Sequence, residues 1–144
     1  MSGSHASGTE AVVQACYAAW SERSVDGVLG HLSDDCVYTM HLPVDVLAFA
    51  GRHVGKSAIG GCLHAILEEF SFVAYAVDWL TVDGETARAR VVYYYRHNEN
   101  GDQLEGFMRH VWRVVDGRVT SLDEYHDVGM MKAFLEMVRG LRIS

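Results

Sequence analysis

His110 and Glu124 are the two residues of this sequence best suited to acid–base chemistry. They flank an Asp116-Gly117 pair, which is a strong signal for a β-hairpin. An apolar pocket disfavours the charged form of a carboxyl group, so we expect the pKa of Glu124 to be raised towards neutrality. Glu124 would then abstract a proton next to a carbonyl, while His110 or Tyr17 donates a hydrogen bond to the enolate oxygen.

The type of turn at Asp116-Gly117 determines whether His110 and Glu124 share a face of the sheet. A tight two-residue type I′ turn puts them on opposite faces. A type I turn with Gly117 as a left-handed bulge puts them on one face as diagonal neighbours, about 7–8 Å apart. We prefer the bulge because it collects more apolar residues on the His110 side. The pocket wall that it predicts consists of Met108, His110, Trp112, Leu122, Glu124 and His126.

Further ligand contacts are expected from the first helix, the first strand and the third helix. His110, Glu124 and His126 could also converge on a divalent ion. None of the eight histidines forms an HxH, HxxxH or HExxH motif, so we expect no metal. The proton transfer described above requires no cofactor. The predicted ligand-binding residues are Trp20, Met40, His41, Leu63, Met108, Trp112, Leu122 and His126.

A long antiparallel sheet is required to position these residues. Three turn pairs, Asp83-Gly84, Asn100-Gly101 and Asp116-Gly117, lie between runs of β-forming residues. They predict a four-strand meander. An earlier strand is expected to end at Pro43. The predicted strands cover residues 36–42, 72–82, 86–97, 104–115 and 118–126.

Apolar residues at helical spacing predict four helices, of which the first begins at Thr9 and the last is capped by Asp127. We expect residues 1–8 to form a disordered tail. Residues 44–54 are irregular and fairly apolar, so they form either a mobile lid or an ordered connection packed on the core. The predicted helices cover residues 9–23, 24–32, 58–70 and 128–139.

Composition restricts the class of protein. A chain of 144 residues suits one domain, here 9–144, and 49% hydrophobic residues allow a sizeable core. A net charge of −7 argues against a nucleic-acid or membrane partner. The cysteines, at positions 16, 36 and 62, form no CxxC motif, which indicates the cytoplasm. Helices before a long twisted sheet predict an α+β fold whose curved sheet encloses a small-molecule pocket.

Four stretches of the sequence resemble the SnoaL-like branch of the nuclear transport factor 2-like superfamily, which includes ketosteroid isomerase and the polyketide cyclases. They are residues 12–27, 51–59, 110–119 and 123–127. The resemblance implies a cone-shaped, cystatin-like half-barrel with a mixed or antiparallel sheet, and a homodimer formed through that sheet.

The resemblance also bears on the chemistry. The chain is similar to the polyketide cyclases in placing a histidine, His110, on the penultimate strand and an acid on the last, although Glu124 replaces their usual Asp. The residues of ketosteroid isomerase are replaced at the corresponding positions by Cys16, by Met40 or Leu42, and by His110.

Two functions remain open from the sequence. One is cofactor-independent proton transfer, as in cyclisation or isomerisation, on a small hydrophobic carbonyl compound. The other is a non-catalytic ligand-binding or dimeric association domain of the same fold. A raised pKa at Glu124 is expected for the enzyme and not for the binder.

Overall fold

The structure is a computed structural model that describes residues 2–140, with side chains from residue 8 onward. Four helices and six strands follow one another in the predicted α+β arrangement, with one strand more than the five that were predicted. The elements are α1 (Ser2–Ser21), α2 (Val25–Leu29), β1 (Leu32–His41), β2 (Gly51–Val54), α3 (Lys56–Glu69), β3 (Phe70–Asp83), β4 (Thr86–His97), β5 (Gln103–Val115), β6 (Arg118–Tyr125) and α4 (Val128–Val138).

All six strands belong to one open sheet, in the order β2-β1-β6-β5-β4-β3. Strands β3 to β6 form the predicted meander. The sheet is mixed because β1 pairs in parallel with β6, whereas every other pair is antiparallel. The last strand of the meander therefore lies inside the sheet, with β1 on one side and β5 on the other. A residue on β6 can be contacted from both neighbouring strands.

The β5–β6 hairpin has a two-residue turn, and our preference for a bulge at Gly117 is wrong. Val115 pairs with Arg118, and both turn residues have positive φ (Asp116 51°, Gly117 77°), as a type I′ turn requires. An irregularity lies further along the strand instead, at Thr120, where the register shifts by one residue.

The bulge at Thr120 places His110 and Glu124 on the same face of the sheet, which the two-residue turn alone would have prevented. Beyond it, His110 pairs directly with Glu124, and Trp112 pairs with Leu122. The predicted common face is therefore present, but His110 and Glu124 are direct rather than diagonal neighbours.

The segment after Pro43 is an ordered connection that ends in a strand. Val46 and Leu47 are buried, and their backbone N–H groups donate to the carbonyl of Pro43. Residues 51–54, which were predicted as irregular, form β2 and pair with β1. Burial of the apolar side chains holds this connection against the core.

Two helix starts and one boundary differ from prediction. Helix α1 begins at Ser2 rather than at Thr9, whose hydroxyl instead donates to the carbonyl of Gly84 (2.7 Å). Residues 2–8 of the predicted tail belong to α1, and residue 1 lies outside the described residues. Helix α3 begins at Lys56 rather than at residue 58, and Leu32 begins β1 instead of ending α2. The predicted cap of α4 is confirmed, since the Asp127 carboxylate accepts from the backbone N–H of Met130 (3.0 Å).

The core lies between the helices and one face of the sheet. Tyr93 and Tyr95 point into it, as expected for one of the two alternating sets on β4, and Tyr95 stacks on Phe72. Tyr94 lies on the opposite face with Arg88 and other charged residues. Among residues 2–140 no helix is long and apolar enough to cross a membrane.

Candidate ligand pocket and acid–base site

An apolar cavity of about 90 Å³ lies between the helices and the inner face of the sheet. It is lined by α1, α3, the connection before β2 and the central strands. Every predicted site residue except His41 lines it. Those residues are Tyr17, Trp20, Met40, Leu63, Met108, His110, Trp112, Leu122, Glu124 and His126.

His41 lies on the other side of the sheet, so the structure does not bring it together with the other predicted ligand contacts. Side chains alternate along a strand, so the inward position of Met40 turns His41 outward. There its Nε2 lies 2.9 Å from Oδ1 of Asp123, and its ring stacks on Tyr125 with the centroids 4.3 Å apart.

Several residues that were not predicted also line the cavity. Tyr38 belongs to the inward set of β1, two residues before Met40, so strand alternation could have identified it. Leu42, Leu47 and Phe49 cover the cavity from the connection before β2. No periodic pattern marks that connection in the sequence.

Five side chains form one continuous hydrogen-bonded chain on the cavity wall. The indole N–H of Trp112 donates to the Tyr17 hydroxyl (3.0 Å), which lies 2.6 Å from Nδ1 of His110. Nε2 of His110 lies 2.9 Å from Oε1 of Glu124, and Nε2 of His126 lies 2.7 Å from Oε2. The direct pairing of positions 110 and 124 across the β5–β6 ladder makes the central contact possible.

The pKa of Glu124 is lowered, which contradicts the expectation of a raised value. Burial on its own raises the pKa of this carboxyl group. The charge of His126 and the hydrogen bonds from His110 and His126 outweigh burial and hold the pKa well below its ordinary value. Glu124 is therefore a carboxylate, clamped on both oxygens by imidazole N–H groups.

Tyr17 is held as a neutral phenol. Burial raises its pKa well above the ordinary value, and the charge of Glu124 adds to that rise, although the hydrogen bond from Trp112 partly offsets it. The hydroxyl hydrogen is therefore retained at neutral pH, and Tyr17 can serve as a hydrogen-bond donor.

Among these five hydrogen-bonded side chains, one ring nitrogen has no partner. The side chain of His126 is only 6% exposed, and its Nδ1 is buried without a hydrogen bond to any described residue. Because Nε2 donates to Glu124, Nδ1 is an acceptor whenever the ring is neutral. Within residues 2–140 no group of three or more His, Cys, Asp and Glu residues is arranged to hold a metal ion.

The five hydrogen-bonded side chains combine a proton-accepting base with a hydrogen-bond donor. A carboxylate buried in an apolar cavity is costly unless a positive charge balances it. Either imidazole can carry that charge, and His126 and His110 both lower the pKa of Glu124. When His110 carries it, its Nδ1–H donates to the Tyr17 oxygen, which frees the phenolic hydrogen for a ligand. The neutral ring of His126 then presents a basic nitrogen. This arrangement can move a proton and stabilise the resulting oxyanion.

The fold and pocket define a class of cone-shaped α+β proteins, and sequence comparison identifies the family. The profile of the SnoaL-like domain matches residues 13–122. The chain therefore belongs to the SnoaL-like domain family, as the resemblance implied. No functionally curated protein is significantly similar to it.

Solved structures share the fold at low sequence identity. A candidate isomerase from Rhodopseudomonas palustris is 19% identical with a TM-score of 0.75, covering 89% of this chain and 93% of its own. A candidate polyketide cyclase from Xanthomonas campestris is 18% identical with a TM-score of 0.74, covering 91% and 98%. An LEH-like epoxide hydrolase from M. tuberculosis is 23% identical with a TM-score of 0.70, covering 94% and 93%. At these identities the similarity establishes the fold alone.

Proposed function

We propose that this protein binds a small hydrophobic carbonyl compound and catalyses proton transfer on it, as in isomerisation or cyclisation. The observation that carries the proposal is the chain from Trp112 through Tyr17, His110 and Glu124 to His126 on the wall of an apolar cavity. The names of two structural neighbours, an isomerase and a polyketide cyclase, are compatible with it.

His126 is the base in this proposal, and Glu124 is the residue that orients it. Both carboxylate oxygens of Glu124 already accept from imidazole N–H groups, and its low pKa makes it a weak base. A carboxylate that holds one nitrogen of an imidazole fixes the tautomer and stabilises the imidazolium formed when the other nitrogen takes a proton. Nδ1 of His126 is the free nitrogen of that pair.

Tyr17 is the donor to the substrate oxygen. Its own oxygen is fixed by the indole N–H of Trp112 and faces Nδ1 of His110 at 2.6 Å. With His110 in the imidazolium form, two donors point at the Tyr17 oxygen and its hydrogen is directed elsewhere. A neutral phenol in an apolar site then stabilises a developing enolate more strongly than water does.

The proposed reaction balances without a cofactor. Nδ1 of His126 takes a proton from the carbon next to the substrate carbonyl, and the C–H electron pair forms the enolate, whose oxygen accepts from Tyr17. Return of the proton from His126 to another carbon of the conjugated system gives an isomer. Attack of the enolate carbon on a second carbonyl carbon of the same molecule forms a ring and breaks the π bond of that carbonyl, and the resulting alkoxide takes the proton back from His126.

Deuterium exchange tests the reaction without knowledge of the natural substrate. Cyclohexanone in D₂O should exchange its α-protons faster with the protein than in buffer alone, as followed by proton NMR. His126→Gln should reduce the protein-dependent rate by roughly 10²-fold or more, the range typical of a lost general base.

His41→Gln is the matched control, because His41 also contacts a carboxylate but lies outside the cavity. Equal exchange rates for the wild-type protein and His126→Gln would refute the assignment of the base.

A binding domain without catalysis is the second candidate, and the lowered pKa of Glu124 is the observation that favours it. A permanently charged, fully hydrogen-bonded carboxylate is also a way to satisfy a buried polar wall. In that case cyclohexanone and similar rings bind, and their α-protons exchange no faster than in buffer.

We also infer that two copies of the chain associate through the outer face of the sheet, and that the protein works in the cytoplasm. That face exposes Trp79 (50%) and Phe107 (46%), with Arg90 and Asp78 paired between them at 3.0 Å. Apolar groups accompanied by charges of both signs suit contact with an identical surface related by a two-fold axis. The free, buried cysteines agree with a reducing compartment.

A further inference from the structure

The unpartnered nitrogen of His126 restricts the chemistry of the ligand. Five buried side-chain polar atoms of the described residues lack a partner, and His126 is the only one of their residues that lines the cavity. A buried acceptor left without a donor destabilises the folded protein. A ligand that supplies a donor to Nδ1 removes this cost, whereas a purely apolar ligand leaves it in place.

The size of the cavity restricts the ligand further. An apolar cavity of about 150 Å³ binds one benzene molecule, so a cavity of about 90 Å³ has room for a single small ring and not for a larger ring system. The aromatic and aliphatic lining suits such a ring.

The charges around Nδ1 favour an acidic hydroxyl over other donors. If the ligand proton moves to Nδ1, the resulting imidazolium lies 2.7 Å from a carboxylate oxygen and forms an ion pair with it. The ligand oxygen left behind is an anion, and Tyr17 is the neutral donor available on the same wall. The site therefore stabilises both products of the proton transfer. A phenol or an enol gains from this, and a simple alcohol gains less.

Access to Nδ1 requires a small adjustment of the wall. The atom itself exposes less than 1 Å², so side chains must move when the ligand binds. Met40, Met108 and Met131 all line the cavity. Their unbranched, flexible side chains can make such movements at low cost.

From these observations we propose that the pocket takes a single-ring compound carrying an acidic hydroxyl, a phenol or a ring enol, whose hydroxyl donates to Nδ1 of His126. This inference rests on the proposed function, in which Nδ1 of His126 is the base. It predicts which ligand binds more tightly and not whether a reaction occurs, so the ligand class and the catalysis can be refuted separately.

Phenol and toluene test the proposal, since they differ by a hydroxyl in place of a methyl group of similar size. Toluene transfers from water to an apolar cavity more readily, so hydrophobicity alone favours it. We expect isothermal titration to show phenol binding roughly tenfold more tightly or better. Equal affinities, or tighter binding of toluene, would overturn the proposal.

Variants locate the preference. His126→Phe keeps a ring of similar shape without a nitrogen, and it should abolish or reverse the preference for phenol. His41→Phe, at the outer face, should leave the preference unchanged. If His126→Phe keeps the full preference, the hydroxyl is bound elsewhere and the proposal is wrong.

A measurement on the wild-type protein does not depend on the folding of a variant. In the ¹⁵N NMR spectrum of the histidine side chains, phenol should shift the Nδ1 resonance of His126, and toluene should not. A shift confined to the ring of His110 would overturn the assignment. Loss of the preference with α-proton exchange retained refutes the ligand class alone. A preference for phenol without exchange refutes catalysis alone.

Discussion

At the scale of residues, two histidines determine what the carboxylate of Glu124 can do. The sequence allowed the pocket wall to be predicted, because strand alternation assigns the inward residues once the facing is chosen. It did not allow the protonation state to be predicted. That state depends on the Nε2 atoms of His110 and His126, which lie 2.9 and 2.7 Å from the two carboxylate oxygens. Tertiary packing sets these distances, and no sequence pattern encodes them.

The lowered pKa of Glu124 makes stability dependent on acid. A carboxyl whose pKa is lower in the folded than in the unfolded protein stabilises the fold above its ordinary pKa, here 4.5, and loses that contribution as the pH falls below it. We expect Glu124→Gln to reduce the free energy of unfolding by about 2 kcal/mol at pH 7. The difference from the wild-type protein should shrink as the pH falls below 4.5.

Urea unfolding at a series of pH values measures this effect. Glu105→Gln is the control, because Glu105 is an exposed carboxyl on the neighbouring strand β5. A difference between Glu124→Gln and the wild-type protein that stays constant down to pH 3 would contradict the lowered pKa.

At the scale of elements, the sequence predicted the positions of the three hairpin turns but not the bulge at Thr120 or the short strand β2. The pairs at 83–84, 100–101 and 116–117 located the ends of β3 to β6 to within a few residues. The two-residue loop that Asp-Gly favours is the one observed, but counting apolar residues led us to the other turn type. Thr120 carries no local signature of a bulge, because its position is determined by packing on both faces of β6. Strand β2 has four residues and no alternation strong enough to detect.

The type I′ turn gives a prediction at this scale. Gly117 has φ of 77°, where a Cβ atom is strained, so Gly117→Ala should reduce the free energy of unfolding by about 1–2 kcal/mol. Gly61→Ala is the opposite control. Gly61 lies in α3, and an added Cβ meets nothing within 4 Å, so alanine should stabilise the protein by up to about 1 kcal/mol.

Thermal or urea unfolding of both variants gives these values. If Gly117→Ala left the free energy of unfolding unchanged or raised it, as expected for Gly61→Ala, the turn would not require the left-handed conformation.

At the scale of the whole molecule, the outer face of the sheet is the surface left without a covering layer. Its guanidinium at Arg90 lies 5.1 Å from the ring centroid of Phe107 and 3.0 Å from the Asp78 carboxylate. If two copies associate there, Phe107→Glu should convert a dimer into a monomer, because it buries an extra negative charge against its counterpart in the other copy.

Light scattering coupled to size-exclusion chromatography measures the mass in solution. Val44→Glu provides the control, because Val44 is 65% exposed in the connection before β2 rather than on the outer face. A wild-type protein of 16.0 kDa in solution would exclude the dimer.

The bulge at Thr120 also divides the β5–β6 hairpin into two parts with different registers. Between Thr120 and the turn, the register is set by the Asp116-Gly117 turn. Beyond Thr120, the register is the one that pairs the residues lining the cavity. Mechanical strain introduced at the turn can be absorbed at this joint before it reaches Glu124. The turn end of the hairpin can therefore be shortened, lengthened or replaced during evolution or engineering, and the spacing between the carboxylate and its two imidazoles should remain unchanged.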